Sequence, residues 1–213
     1  MVCLLNRCCI GSFIVTLLSP IALAAVAQEQ SISPADTTTT VQQVGTQYQI
    51  NGGNLSSDRT SLFHSFNQFG LLTGESAQFE NSAAVENIIG RVTGGDASII
   101  DGLLAVNGTA NLYLLNPSGI FFGENTQLNL GGSFSASTAT GLTFDIGLLD
   151  TLGSNNYGDL TGVPTGYVFG AEQVSPVINT GDLAVTSGQS LTLLGGQVIN
   201  TGQLLAPEGE ILV

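Results

Sequence analysis

The sequence predicts an all-β protein, most specifically a parallel β-helix of stacked coils, and three observations carry that prediction. Short apolar runs alternate with Gly, Asn, Ser and Thr from Val41 onward, with turn pairs at Asn51-Gly52, Asn107-Gly108 and Ser187-Gly188. Val-Ile-Asn-Thr-Gly occurs at 177–181 and again at 198–202, a step of 21 in the numbering. Leu104, Val106, Leu112, Leu114 and Leu115 reappear at a constant offset of 79 as Leu183, Val185, Leu191, Leu193 and Leu194, and Gly102 and Gly181 share that offset. A coil of about 20 residues holding two or three short strands accounts for such echoes. A flat two-sheet sandwich is the competing architecture, but it produces no 21-residue echo.

Taken in order, the chain opens on a leader. Met1 to Cys9 carries one cation, Arg7; Ile10 to Ala24 is almost wholly apolar, and Ala25-Val26-Ala27 follows. That order predicts a signal peptide over 1–27, read by the Sec machinery and cleaved after Ala27. All three cysteines (Cys3, Cys8, Cys9) lie inside it, so the remaining chain must hold itself together by packing and hydrogen bonds. The formal charge of −13 becomes about −14 once Arg7 is lost. Arg59 and Arg91 are then the only strong cations, and the chain has no lysine. Nucleic acid is excluded as a partner on that balance, and anionic membrane surfaces are disfavoured by it. Charged residues are only 9% of the chain, so it is no disordered acidic tail either.

Residues 28–40 are polar and aperiodic and read as a flexible lead-in. The β-helix is expected over 41–213. Within it, 58–69 is the best local helix candidate, through Leu62, Phe66 and Phe69, although Gly70 cuts it short. In Leu112-Tyr113-Leu114 the leucines face inward and the tyrosine outward. Residues 145–170, rich in Gly and Asp, read as an irregular excursion, a hairpin or long loop leaving the coils. Residues 171–213 read as regular coils that continue beyond the chain end. With a 21-residue coil, the mature chain holds roughly nine coils and a rod about 40 Å long.

Several segments resemble a known family. SLFHSFNQF at 61–69 is followed by NIIGRVTGG at 87–95, SIIDGLL at 98–104, ANLYLLNPSGIFFG at 110–123 and QLNLGGSFSAST at 127–138. Their order resembles the two-partner secretion domain, the haemagglutination-activity domain at the front of filamentous haemagglutinins, related haemolysins and contact-dependent inhibition proteins. The motif-bearing part covers about 41–144. The resemblance implies a right-handed, single-stranded, pectin-lyase-like β-helix with an N-terminal cap and extra-helical excursions. It also implies export from a double-membraned bacterium through a dedicated outer-membrane barrel transporter with periplasmic POTRA domains, followed by folding outside the cell. The family's Asn-Pro-Asn-Gly-Ile motif falls on Asn116, Pro117, Ser118, Gly119 and Ile120, with Ser118 replacing the second Asn. Its Asn-Pro-Asn-Leu motif has no clear match; the region before Asn87 reads Phe79-Glu80-Asn81-Ser82 instead.

Asn116–Ile120 is either a tight corner or a transporter-recognition element, and the corner reading needs no partner. Arg59, Arg91, His64, Phe66 and Asn87 are candidates for transporter contact or for structural roles. His64 is the only histidine, with no cysteine beside it after the leader, so a packed or capping role outranks a base or metal ligand. Arg91 reads as half of a partly buried pair with a carboxylate. Asp96 and Asp101 match no calcium motif and read as turn caps. No catalytic, cofactor or metal residue is expected. The competing classes are a β-helical carbohydrate-active enzyme, for which cationic bases are lacking, and an adhesin for a host-cell, glycan or matrix ligand that uses exposed Tyr113, Phe121 and Phe122.

Overall fold

A computed structural model describes residues 31–170 and 175–213. The leader expected over 1–27 lies outside the described residues. The fold is a parallel β-helix of about six turns, and among the described residues helix is confined to one short 3-10 turn, Tyr157–Asp159. Each coil runs through three faces. The long sheet takes Ser61–Phe69, Asn87–Val92, Asn111–Leu115, Phe134–Ser137, Leu191–Leu194 and Ile211–Leu212, all parallel. A second sheet stacks Ser98–Ile100, Ile120–Phe122, Pro176–Asn179 and Gln197–Asn200. A third carries Ser76–Phe79, Leu103–Val106 and Gln127–Asn129, and the pair Asp182–Ala184 and Gln203–Leu205 continues that face.

Strand alternation builds the column between the faces. Leu62, Ile88, Leu112, Phe134 and Leu191 stand in register across five coils and are all buried. Each such side chain contributes about 1.5–3 kcal/mol on leaving water. Leu112 and Leu114 point inward and Tyr113 outward, as the alternation requires. The 21-residue echo is a pair of neighbouring rungs, since Val177, Ile178 and Asn179 sit beside Val198, Ile199 and Asn200. The longer echo is two coils, because Leu112 neighbours Phe134 and Phe134 neighbours Leu191.

Several expectations give way. The coils number about six, not nine. Ser61 stands beside Asn87, Asn87 beside Asn111, Leu112 beside Phe134 and Leu191 beside Ile211, so the step in the numbering shrinks from one coil to the next. The early coils are therefore longer than the repeat implied, and the excursion consumes most of another two. Six coils at about 4.8 Å give a rod of roughly 24 Å between the first and last. The helix candidate at 58–69 is a strand over Ser61–Phe69, buried on both faces, so its apolar residues show no clean period of two. The lead-in is not loose where it is described. Ile32–Pro34 pairs antiparallel with Ser61–Phe69, and Thr39–Val44 forms a hairpin with Gln47–Gly52. These strands cover the edges of the first coil, the capping a solenoid needs.

The excursion is not irregular. Gly141–Ile146, Leu148–Asp150 and Thr161–Val168 make a three-stranded antiparallel sheet. It lies on the outer face of the long sheet, where Phe63, Ile89 and Leu115 meet Leu142, Phe144 and Leu149 in a second apolar cluster. Tyr113 is half-buried in that layer rather than exposed, Phe121 is half-buried, and Phe122 faces the column at 0% exposure.

Candidate functional site

The motif Asn116–Ile120 is the corner between the long and second sheets. Asn116 is 1% exposed. Its Nδ2 donates to the Asp96 carbonyl at 3.0 Å and to Ser98 Oγ at 2.9 Å, both on the preceding coil, and its Oδ1 accepts the Ser118 N–H at 2.9 Å. The Gly119 N–H returns to the Asn116 carbonyl at 3.0 Å. Gly119 has φ +120°, a backbone that L side chains rarely adopt. Position 118 supplies its backbone N–H to this turn, a group every residue except proline carries, so Ser in place of Asn leaves the turn intact. Pro117 is buried, and Ile120 enters the column at 2% exposure.

Arg91 stands on the outer face of Asn87–Val92 and reaches the excursion. Its Nη1 donates to the carbonyls of Asp150, Thr151 and Gly153 at 3.1, 3.1 and 2.6 Å, and its Nε donates to Ser65 Oγ at 2.9 Å. The guanidinium also lies 5.7 Å from the Tyr157 ring centroid. The carboxylate pairing expected from the sequence is replaced by this cluster of carbonyls. The Asp150 side chain creates it by accepting the Leu152 and Gly153 N–H groups, which turns the chain so that its carbonyls converge. Further tethers join helix and excursion: Gly162 N–H to the Asp58 carboxylate at 2.8 Å, Ser57 N–H to the Gly158 carbonyl at 3.2 Å, and Ser65 Oγ with Tyr157 Oη at 2.9 Å. Hydrogen bonds from Ser56, Gly162 and Thr60 draw the Asp58 carboxyl down to about 2. No motif marked Asp58, because its partner lies 104 residues away.

His64 faces the column at 0% exposure, and neither ring nitrogen has a hydrogen-bond partner. It stacks near Phe66, with centroids 6.1 Å apart, and tilts against Phe79 at 5.8 Å. Gly90 is its neighbour on the next coil, and a Cβ on Gly53 would come within 2.9 Å of its Cε1, so the glycine at 53 makes room for the ring. Burial lowers its pKa to about 4, against the opposing pull of Asp36. Phe66 is 0% exposed and packs edge-on to Phe69 at 5.0 Å. Asn87 is 2% exposed; its Oδ1 accepts Asn111 Nδ2 at 3.0 Å, part of a polar stack that repeats between Asn179 and Asn200 at 2.8 Å. Arg59 is exposed at a turn, with φ +64°.

The Asp101 carboxylate accepts the Asn125 N–H at 2.9 Å and the Thr73 hydroxyl, a cap between coils. Among the described residues no group of three or more His, Cys, Asp or Glu side chains is placed to hold a metal ion. The structure thus brings the candidate residues to separate places: the corner at 116–120, the column at His64 and Phe66, and the outer latch at Arg91. Asn116 and Asn87 join one coil to the next and Arg91 joins the coils to the excursion, whereas His64 and Phe66 pack within the first coil and Arg59 lies exposed at its turn.

A family model described as the TPS secretion domain matches residues 26–213. The heme/hemopexin-binding protein of Haemophilus influenzae is 32% identical over 72 residues, 34% of this chain but only 8% of that protein. The HMW1 secretion domain from Haemophilus influenzae superposes with a TM-score of 0.53 at 24% identity, covering 83% of this chain and 44% of that one, and shares the fold. The filamentous hemagglutinin secretion domain covers 86% of this chain and 100% of its own, at 13% identity and a TM-score of 0.47.

Proposed function

The chain belongs to the TPS secretion domain family, and from that premise we propose that it is the export module of a secreted or surface-displayed exoprotein. In this reading the Sec machinery takes the leader across the inner membrane. POTRA domains of an outer-membrane barrel transporter then engage the unfolded chain, and the β-helix forms outside the cell. The observation that carries the reading is the match over 26–213, which spans the cap, the coils and the excursion.

The chemistry of the chain suits such a passage. No cysteine follows Cys9, so no disulfide can close a loop in a threading chain. Each emerging strand of the long sheet finds its partner a single coil back, except across the excursion. Loop closure over one coil costs little more than for a short loop, and each coil adds buried apolar rungs that oppose backsliding. The motif corner acts here as a folding element, since every Asn116 side-chain hydrogen-bonding group is spent inside the chain. No catalytic role is assigned. The test is co-expression with the cognate barrel in intact and POTRA-deleted forms. The intact barrel is expected to retain the chain on affinity capture and release it to the medium. Equal release through the POTRA-deleted barrel would overturn the reading.

A second reading, glycan binding, has one specific observation behind it. A cleft of about 420 Å³ between the excursion and the long sheet is lined by Tyr113, Tyr167, Asn111, Ser133 and Ser135, and no charged side chain lines it. Burial raises the Tyr167 phenol to about 12, so it stays a donor. Aromatic faces among neutral hydroxyls and amides match an uncharged sugar. A glycan array probed with the purified chain separates this from a pure export role, with Tyr167→Phe and Tyr113→Ala expected to abolish any true signal.

A further inference from the structure

The second sheet carries an outward apolar row. Ile99, Phe121, Ile178 and Ile199 stand in register on four successive coils, each pointing away from the column. Ile99 and Ile199 are 39% and 38% exposed, and two grooves of about 530 and 240 Å³ flank Phe121. The molecule treats a comparable row differently on the long sheet, where Phe63 and Ile89 lie beneath the excursion. Among the described residues nothing covers the row on the second sheet. An apolar patch of this extent on a surface of otherwise polar corners marks an interaction site.

Charge identifies what fits there. The corner that follows the second sheet places Asp101 and Glu124 on two successive coils, with Glu75 at the same corner of the first coil, and on the next coil Asp182 opens the third-face strand just past that corner. Asp101 and Glu124 line the same groove as Ile99 and Phe121. An apolar row beside a carboxylate row demands a partner with apolar and cationic rows side by side. A second copy of this chain lacks them, since Arg59 and Arg91 are its only cations after the leader and Arg91 is committed to the excursion. An anionic lipid surface is repelled.

Spacing narrows the partner further. The rungs repeat at about 4.8 Å, close to the roughly 5 Å average step between the i, i+3 and i+4 side chains along one helix face, and unlike the roughly 6.8 Å step along one face of a strand. We infer that the Ile99–Phe121–Ile178–Ile199 face docks a basic amphipathic helix of a protein partner. Four rungs span about 14 Å, the length of roughly ten helical residues.

The probe is a synthetic 14-residue helix-forming peptide of Leu and Lys with one apolar face, followed by fluorescence anisotropy against the purified chain. Binding is expected, with a loss of at least tenfold on Phe121→Ser and on Glu124→Gln, a similar loss between roughly 0.05 and roughly 0.5 M salt, and none on Glu208→Gln. Ile99→Ser gives an independent reading at a more exposed position, and circular dichroism of each variant establishes that the coils are intact. Equal binding of a scrambled Leu/Lys peptide, or equal loss on Glu208→Gln, would show diffuse charge attraction and overturn the proposal. So would a dimer of the chain that Phe121→Ser dissociates, because the face would then be taken by a second copy.

Discussion

Asn116→Ala removes three hydrogen bonds at once. The Asp96 carbonyl and Ser98 Oγ lose their donor, and the Ser118 N–H loses its acceptor. Ser98 is 0% exposed, so its hydroxyl is left without water. At about 1 kcal/mol net for each bond, the loss comes to about 3 kcal/mol, roughly two orders of magnitude in the folding equilibrium. The corner joins three coils, since the Asn116 N–H also bonds the Ser137 carbonyl at 3.0 Å, so the loss should be felt by the helix as a unit. Urea denaturation of the purified wild type and variant, followed by far-UV circular dichroism, measures it, and release into the medium is measured in parallel. Release should fall in step with stability. A variant within about 0.5 kcal/mol of wild type whose release still drops tenfold or more would refute the reasoning and make the motif a recognition element.

His64 ties stability to acid. Its folded pKa of about 4 lies below the ordinary value of 6.5, so the unfolded chain binds the proton more readily between those values. The stabilisation is complete above pH 6.5 and is lost as pH falls toward 4, about 3 kcal/mol in all. Urea midpoints at pH 7 and pH 4.5 should differ less in His64→Phe than in wild type, and an unchanged difference would contradict this. Arg91→Met keeps the stem and removes the donors to three carbonyls. A cost of about 2–4 kcal/mol is expected, confined to the excursion, with hydrogen exchange quickened at Leu142 and Thr151 but not at Leu112; uniform quickening would contradict it. Gly119→Ala forces an L side chain to φ +120° and should cost about 1–3 kcal/mol by the same denaturation assay, whereas an unchanged midpoint would show that the corner relaxes.

The column was legible because it repeats. Val177 beside Val198 and Leu112 two coils above Leu191 are the same echoes seen in the chain, now read as rungs. The count of coils was not legible, because a repeat of 21 measures the last coils only, and the loops of the first coils carry extra residues. Strand Ser61–Phe69 lost its alternation because the excursion buries its outer face, where Phe63 stacks on Tyr157 at 4.9 Å. Phe121 and Phe122 read alike as exposed aromatics until the register of Ile120–Phe122 turned one outward and one into the column. Arg91 points to a general limit. Its partners are backbone carbonyls brought together by the Asp150 turn, and a carbonyl has no letter in the sequence.

The most direct test of the account is the amount of folded chain in the culture medium when the partner barrel is present and when it is deleted, in cells making the chain at equal levels. Dependence on the barrel predicts protease-resistant β-helix outside the cell in the first case and none in the second. The same quantity in both would mean that this domain reaches the surface by another route.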